Sequence, residues 1–232
     1  MMSKSTESIS HGMNTSTKNP ILFVPSLAPM VIQLLFLILA YEVFSYQGLA
    51  GDWLGLRVVK YPNPWLVWGG YFIASIVGFI ASCMIVDMAN DVINGRPMNL
   101  KKSMNLVTGR LGTLILAAII SALCFFTFVL IPVALFIITI AIIEGTDAIE
   151  STKRAFDFVV KNLGEVIVFI IVVIVVAIVL GIGFAFIPVV GAYIGAIASW
   201  IVNVIFTVTS VHFYLALRQA LPPPPPPPPP PS

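Results

Sequence analysis

The sequence reads as an all-α, polytopic helical membrane protein of about six transmembrane helices, with two interfacial amphipathic helices in an internal repeat. Three observations predict this. Of 232 residues, 59% are hydrophobic and 9% charged, with a mean hydropathy of +1.02. A soluble domain carries about 45–50% apolar and 25% charged residues, so this chain cannot cover a water-facing surface. The apolar residues come in blocks, most of them long enough for a ~30 Å hydrocarbon core, and the cations gather at one end of those blocks.

The elements follow in order. Residues 1–19 are polar and rich in Ser and Thr, and read as a disordered cytoplasmic tail. A secretory signal would begin with a basic patch and then an apolar run; here the first apolar run starts at Ile21 and reads as a retained span, 21–45, with Pro25 and Pro29 in its first turns. Residues 46–63 read as a polar loop, followed by a second span over 64–87. Trp53, Tyr61, Trp65 and Trp68 around its start form an interfacial aromatic belt. Residues 111–143 are too long for one span and short for two. Pro132 near the middle marks a turn, giving spans over 111–130 and 132–144. The last apolar block divides near Pro188 into 164–187 and 189–217. Together 20–218 make one six-helix membrane domain, and 219–232 a polyproline tail. Its ten prolines form a stiff polyproline II rod, a spacer or a docking element for a partner.

Charge sidedness decides the count. With six spans and both termini inside, Lys4, Lys18, Arg96, Lys101, Lys102, Arg110, Lys153, Arg154, Lys161 and Arg218 lie on one side, and only Arg57 and Lys60 on the other. That is the pattern of a multi-pass cell-membrane protein with cytoplasmic termini.

Residues 100–112 align without gaps to 152–164, an offset of 52. Each copy has two adjacent bases, apolar residues at helical spacing, then Leu-Gly and a long apolar run. The apolar positions are Leu100, Met104, Val107 and Leu111 in one copy, and Thr152, Phe156, Val159 and Leu163 in the other. Asp147 with Glu150 makes a capping-box-like start for the second. Helices of this kind lie in the headgroup plane, so Lys101, Lys102, Lys153 and Arg154 are candidate contacts for anionic lipid or a partner. The plainer alternative is that they only set the topology.

The stretches Phe128–Gly145, with an Ile-Pro element and a Glu-Gly turn, Asp147–Phe156, Lys161–Gly164 and Phe213–Arg218 together resemble the membrane domain of glycerophosphodiester phosphodiesterase-like proteins and related uncharacterised six-helix prokaryotic membrane families. The likeness covers roughly residues 90–218. It departs at Val133, where those families have glycine, and at Ala155, near where serine is common. It implies a six-helix fold and a membrane location. The sequence holds no phosphodiesterase domain, so the resemblance supplies no catalytic residue.

Chemistry-bearing residues inside the spans are few. Asp87, Glu144 and His212 are polar candidates near the inner span ends, and Glu42 lies near the outer end of the first. Asp87 and His212 could relay a proton if they met, but two ligands do not make a metal site. Cys83 and Cys124 sit in apolar runs as small hydrophobes. Small residues recur at Gly70, Ala74 and Gly78, and at Gly191, Gly195, Ser199 and Asn203. They read as helix-packing stripes, with a polar substrate lining as the alternative for the second.

No phosphate-binding loop, nucleophile elbow, zinc helix or nucleic-acid motif is present. The expected function is a non-catalytic scaffold or a subunit that binds lipid, a protein partner or a second copy, without a cofactor. A transporter or channel subunit is the alternative.

Overall fold

The computed structural model describes residues 4–52, 55–127, 130–185, 187 and 190–219. Pro188, Trp53 and the polyproline tail, each singled out above, lie outside the described residues. The chain is an all-α helical membrane protein. Its helices are α1 (Lys4–Lys18), α2 (Val24–Ile38), α3 (Pro64–Ile93), α4 (Leu100–Gly109), α5 (Leu111–Phe126), α6 (Ile131–Ile143), α7 (Ala148–Lys161), α8 (Leu163–Ala185) and α9 (Val190–Gln219).

Among the described residues four segments are long and apolar enough to cross a membrane, Pro20–Val43, Pro64–Ile93, Leu163–Phe184 and Val190–Arg218, and five if the bent pair Leu100–Gly109 and Leu111–Phe126 is one span. The expected spans 111–130 and 132–144 are short helices. α5 and α6 pack as a hairpin, but α5 stops at Phe126 and α6 starts only at Ile131. At 1.5 Å per residue they reach about 24 and 20 Å, short of a ~30 Å core. A hairpin returns to its starting end whether or not it crosses, so the one-sided placement of cations does not depend on its depth.

Segment 1–19 was expected to be disordered; residues 4–18 are instead helical and packed on α9 and α8. The cause is a stripe of small residues. Ser5, Ser8, Gly12 and Ser16 are buried, and a Cβ at Gly12 would fall 2.1 Å from Thr209 Oγ1. The backbone of α1 therefore lies directly against α9. Its first turn is held by Glu165, whose carboxylate accepts from the Ser5 amide at 3.0 Å and from the Ser5 hydroxyl. A carboxylate there also satisfies orphan amides and the positive helix end.

The expected loop 46–63 contains an antiparallel hairpin, β1 (Tyr46–Asp52) with β2 (Gly55–Tyr61), pairing Tyr46 with Tyr61. Asn63 then caps α3 by accepting from the Trp65 and Leu66 amides at 3.1 and 3.4 Å, with Pro64 at the first helical position. Trp65 and Trp68 are exposed at this end.

α3 runs six residues beyond the expected stop at 87, because Asp87 and Asp91 find partners on α4. It ends in a Schellman cap: Gly95 has φ +70°, its amide donates to Val92 O at 3.0 Å, and the Arg96 amide donates to Asp91 O at 2.7 Å. The core lies between α3, α6, α7, α8 and α9 and is centred on Phe136, Phe158, Phe169 and Phe213. Ring centroids there are 4.9–6.3 Å apart, in offset-stacked and edge-on arrangements.

Gly12→Leu is expected to push α1 off α9, an overpacking cost of about 1–3 kcal/mol. Hydrogen exchange of amides 5–18 should accelerate. Exchange identical to wild type would show that α1 is not seated on Thr209.

Candidate functional site

Two regions hold the polar side chains of the bundle. One is the end where α3, α6 and α9 finish and α4 and α7 lie across, here termed the basic end. The other is a cavity beside α9.

At the basic end, α4 starts with Asn99, which accepts from the Lys102 amide at 3.0 Å. α7 starts with Asp147, which accepts from the Glu150 amide at 2.8 Å, as the capping pair requires. The two helices end alike. Their C-caps, Arg110 (φ −118°, ψ 16°) and Asn162 (φ −122°, ψ 27°), each turn the chain into the next apolar helix at Leu111 and Leu163. Between α4 and α5 the turn is 74°.

The two pairs of candidate cations divide in the same way. Lys102 Nζ lies 2.6 Å from Asp91, and Arg96 Nε lies 3.0 Å from it. Asp91 is 1% exposed, so these bases neutralise a buried carboxylate. Arg154 pairs with Glu144 and, at 2.9 Å, with Glu150. Lys101 and Lys153, the first base of each pair, are exposed and hold no carboxylate among the described residues. Each helix divides its apolar side chains between the bundle and its outer face. α4 buries Ser103 and Val107 and leaves Met104 exposed. α7 buries Ala155, Phe158 and Val159 and leaves Ile149, Phe156 and Val160 exposed around Lys153.

Glu144 is the hub of this end, with 7% of its side chain exposed. It accepts from Tyr214 and Arg154, and Arg218 lies 3.2 Å away. Burial pushes its pKa up. The hydrogen bonds from Tyr214 and Arg154, with the charges of Arg218 and Arg154, outweigh burial and hold it below the ordinary carboxylate value. Arg110 closes the α5–α6 hairpin, donating to Ala141 O at 2.9 Å and Thr146 O at 2.6 Å, so it caps the carbonyl end of α6.

Asp87 and His212 are not brought together. Asp87 accepts from Ser103 at 2.6 Å. His212 stacks on His11 of α1, with centroids 5.0 Å apart, and lies 3.4 Å from Ser8. No group of three metal-ligating side chains forms among the described residues.

The small-residue stripes differ from each other. On α3 the glycines meet large side chains: a Cβ at Gly70 would fall 2.3 Å from Phe36 Cβ, and one at Gly78 2.4 Å from the Trp200 ring. Ala74 is buried beside them. On α9, Gly191, Gly195, Ser199 and Asn203 were expected in a dry helix contact. They also line a cavity of about 660 Å³ between α2, α3, α8 and α9. Gly191 and Gly195 lie directly against Phe184: a Cβ at Gly191 would fall 2.2 Å from Phe184 O, and one at Gly195 3.3 Å from Phe184 Cβ. The cavity also takes in Gln33, which accepts from Trp200 Nε1 at 2.6 Å. Asn203 is shared with a second cavity of about 350 Å³ toward the basic end, where Ser82 donates to its Oδ1 at 3.4 Å.

Asp91, Ser103, Glu165, Gln33, Trp200 and His11 were not singled out from sequence. Four of them are joined by contacts across more than 150 positions, for which the sequence holds no local signal. No family model, curated protein or solved structure matches the chain.

Glu144→Ala is expected to cost about 1–3 kcal/mol, because Tyr214 loses its buried acceptor and α7 and α9 lose their common anchor. With its pKa lowered on folding, Glu144 contributes fully above about pH 4.3, the ordinary glutamate value. The contribution is lost as pH falls further, through the folded value. Thermal midpoints of wild type should therefore be level above that pH and fall below it. Equal acid sensitivity in Glu144→Ala would remove Glu144 as the cause.

Proposed function

We propose that the chain is a non-catalytic scaffold of the cell membrane, with cytoplasmic termini, whose basic end holds anionic lipid headgroups. The observation that carries this reading is the division of the paired bases. In both copies of the repeated segment the second base neutralises an internal carboxylate, and the first projects outward unpaired. Beside Lys153 stand Ile149, Phe156 and Val160, each about half exposed, as on a helix whose apolar side chains enter the headgroup boundary. The sidedness of the cations supports the same placement.

Each cation near an anionic surface is worth about 1 kcal/mol. Lys101→Gln with Lys153→Gln should therefore lower retention of anionic lipid by about thirtyfold at low salt, with an unchanged melting temperature. Lys102→Gln with Arg154→Gln should lower the melting temperature instead. Native mass spectra after extraction with phosphatidylglycerol read the first effect. Equal retention by wild type and the Lys101/Lys153 double variant would leave these lysines as topology signals alone. A reporter fused after residue 150 should be cytoplasmic; an external signal would break the proposed orientation.

A further inference from the structure

The cavity beside α9 goes beyond the lipid-headgroup reading and is independent of it. Its lining is polar for a bundle in lipid, and a nearly buried amide opens into it. Gln33 is 5% exposed, and its side chain lines the cavity. The Trp200 indole N–H can only donate, so the contact at 2.6 Å fixes the Gln33 carbonyl oxygen toward Trp200. The Gln33 amide nitrogen is the other terminus of that group, and it has no partner among the described residues. Trp200 in turn is held in place by the missing side chain at Gly78. Asn203, three residues along α9 from Trp200 and exposed, also lines the cavity, with Ser82 Oγ 3.4 Å from its Oδ1. The hydroxyl groups of Tyr41, Tyr71 and Ser199 complete the polar lining.

Among the described residues no charged side chain lines this cavity. An ionised ligand would lose its hydration there with nothing to neutralise it, which is prohibitive in a low-dielectric site. An uncharged ligand with acceptor oxygens satisfies the Gln33 amide. About 660 Å³ falls within the range of small-molecule sites. On the α8 side the wall is apolar, with Leu180 and Phe184, and the outer face of α8 is exposed at Ile178, Val179 and Ile182.

We propose that this cavity binds an uncharged amphiphile through carbonyl or ester oxygens, with its head at the amides of Gln33 and Asn203 and its tail along α8. Two sources share that chemistry, a neutral glycerolipid and a membrane quinone, and the probes separate them.

The full chain carrying Trp53→Phe, Trp65→Phe and Trp68→Phe keeps Trp200 as its sole indole. Its emission is followed in detergent while dioctanoylglycerol, a short-tailed benzoquinone, or dioctanoyl phosphatidate is added. One of the two uncharged probes should give a saturable change, and the probe that saturates names the source. Phosphatidate, with the same chains and a charged head, should bind at least tenfold more weakly. Gly195→Leu places a side chain in the cavity and should abolish the saturable change. Ser199→Leu serves the same purpose, and keeps the Gln33–Trp200 contact, if the first variant does not fold. The proposal is overturned by a linear, unsaturable response to both uncharged probes, by equal binding of phosphatidate, or by an unchanged response in the filled variants. A change that follows protein concentration rather than probe concentration would put a second copy on this face and overturn it as well.

Discussion

Two buried carboxylates at the basic end are neutralised by neighbouring cations, and that end of the bundle is arranged around those pairs. Asp91 on α3 and Glu144 after α6 are each almost wholly withdrawn from solvent. Each is neutralised by a base from the short helix that follows, Lys102 from α4 and Arg154 from α7. Removing one partner of such a pair costs far more than the pair contributes, so the short helices cannot drift from the bundle. Their attachment fixes where α5 and α8 begin. Arg218 and Tyr214 bring α9 to the same carboxylate, so three separate parts of the chain share a single neutralisation problem.

The same logic separates the two bases of each pair. Both look equivalent in the sequence, as adjacent cations on an amphipathic helix. Adjacent positions on a helix point about 100° apart, so only one can reach back to the preceding helix. The other is left facing outward. The structure turns an apparent cluster of four cations into two internal anchors and two ammonium groups that hold no carboxylate among the described residues.

Much of the architecture was legible in the sequence because membrane helices are written in long apolar runs. The turn in 111–143, the Asp147 cap and the boundary at Leu163 all came from local residues. α1 did not, because its Ser- and Thr-rich sequence has no apolar stripe and poor intrinsic helix propensity. A signal was nevertheless present: Ser5, Ser8, Gly12 and Ser16 recur at helical spacing, as small residues do where backbones approach. The α9 stripe shows the reverse problem. Spacing alone cannot tell a stripe that only packs from one that also borders a cavity; Gly191 and Gly195 do both, against Phe184. Contacts such as Trp200 with Gln33 join distant segments and leave no local mark.

The short α5–α6 hairpin bears on the bilayer itself. Its two helices, about 24 and 20 Å long, are shorter than a ~30 Å core, and Leu123 and Phe126 near its turn are strongly exposed. Apolar helices shorter than the core are matched by local thinning of the bilayer, at a cost of a fraction of a kcal/mol per Å. Two such molecules side by side share one dimple instead of making two. Elastic attraction of that kind draws copies together and toward thinner patches of membrane without any protein–protein contact.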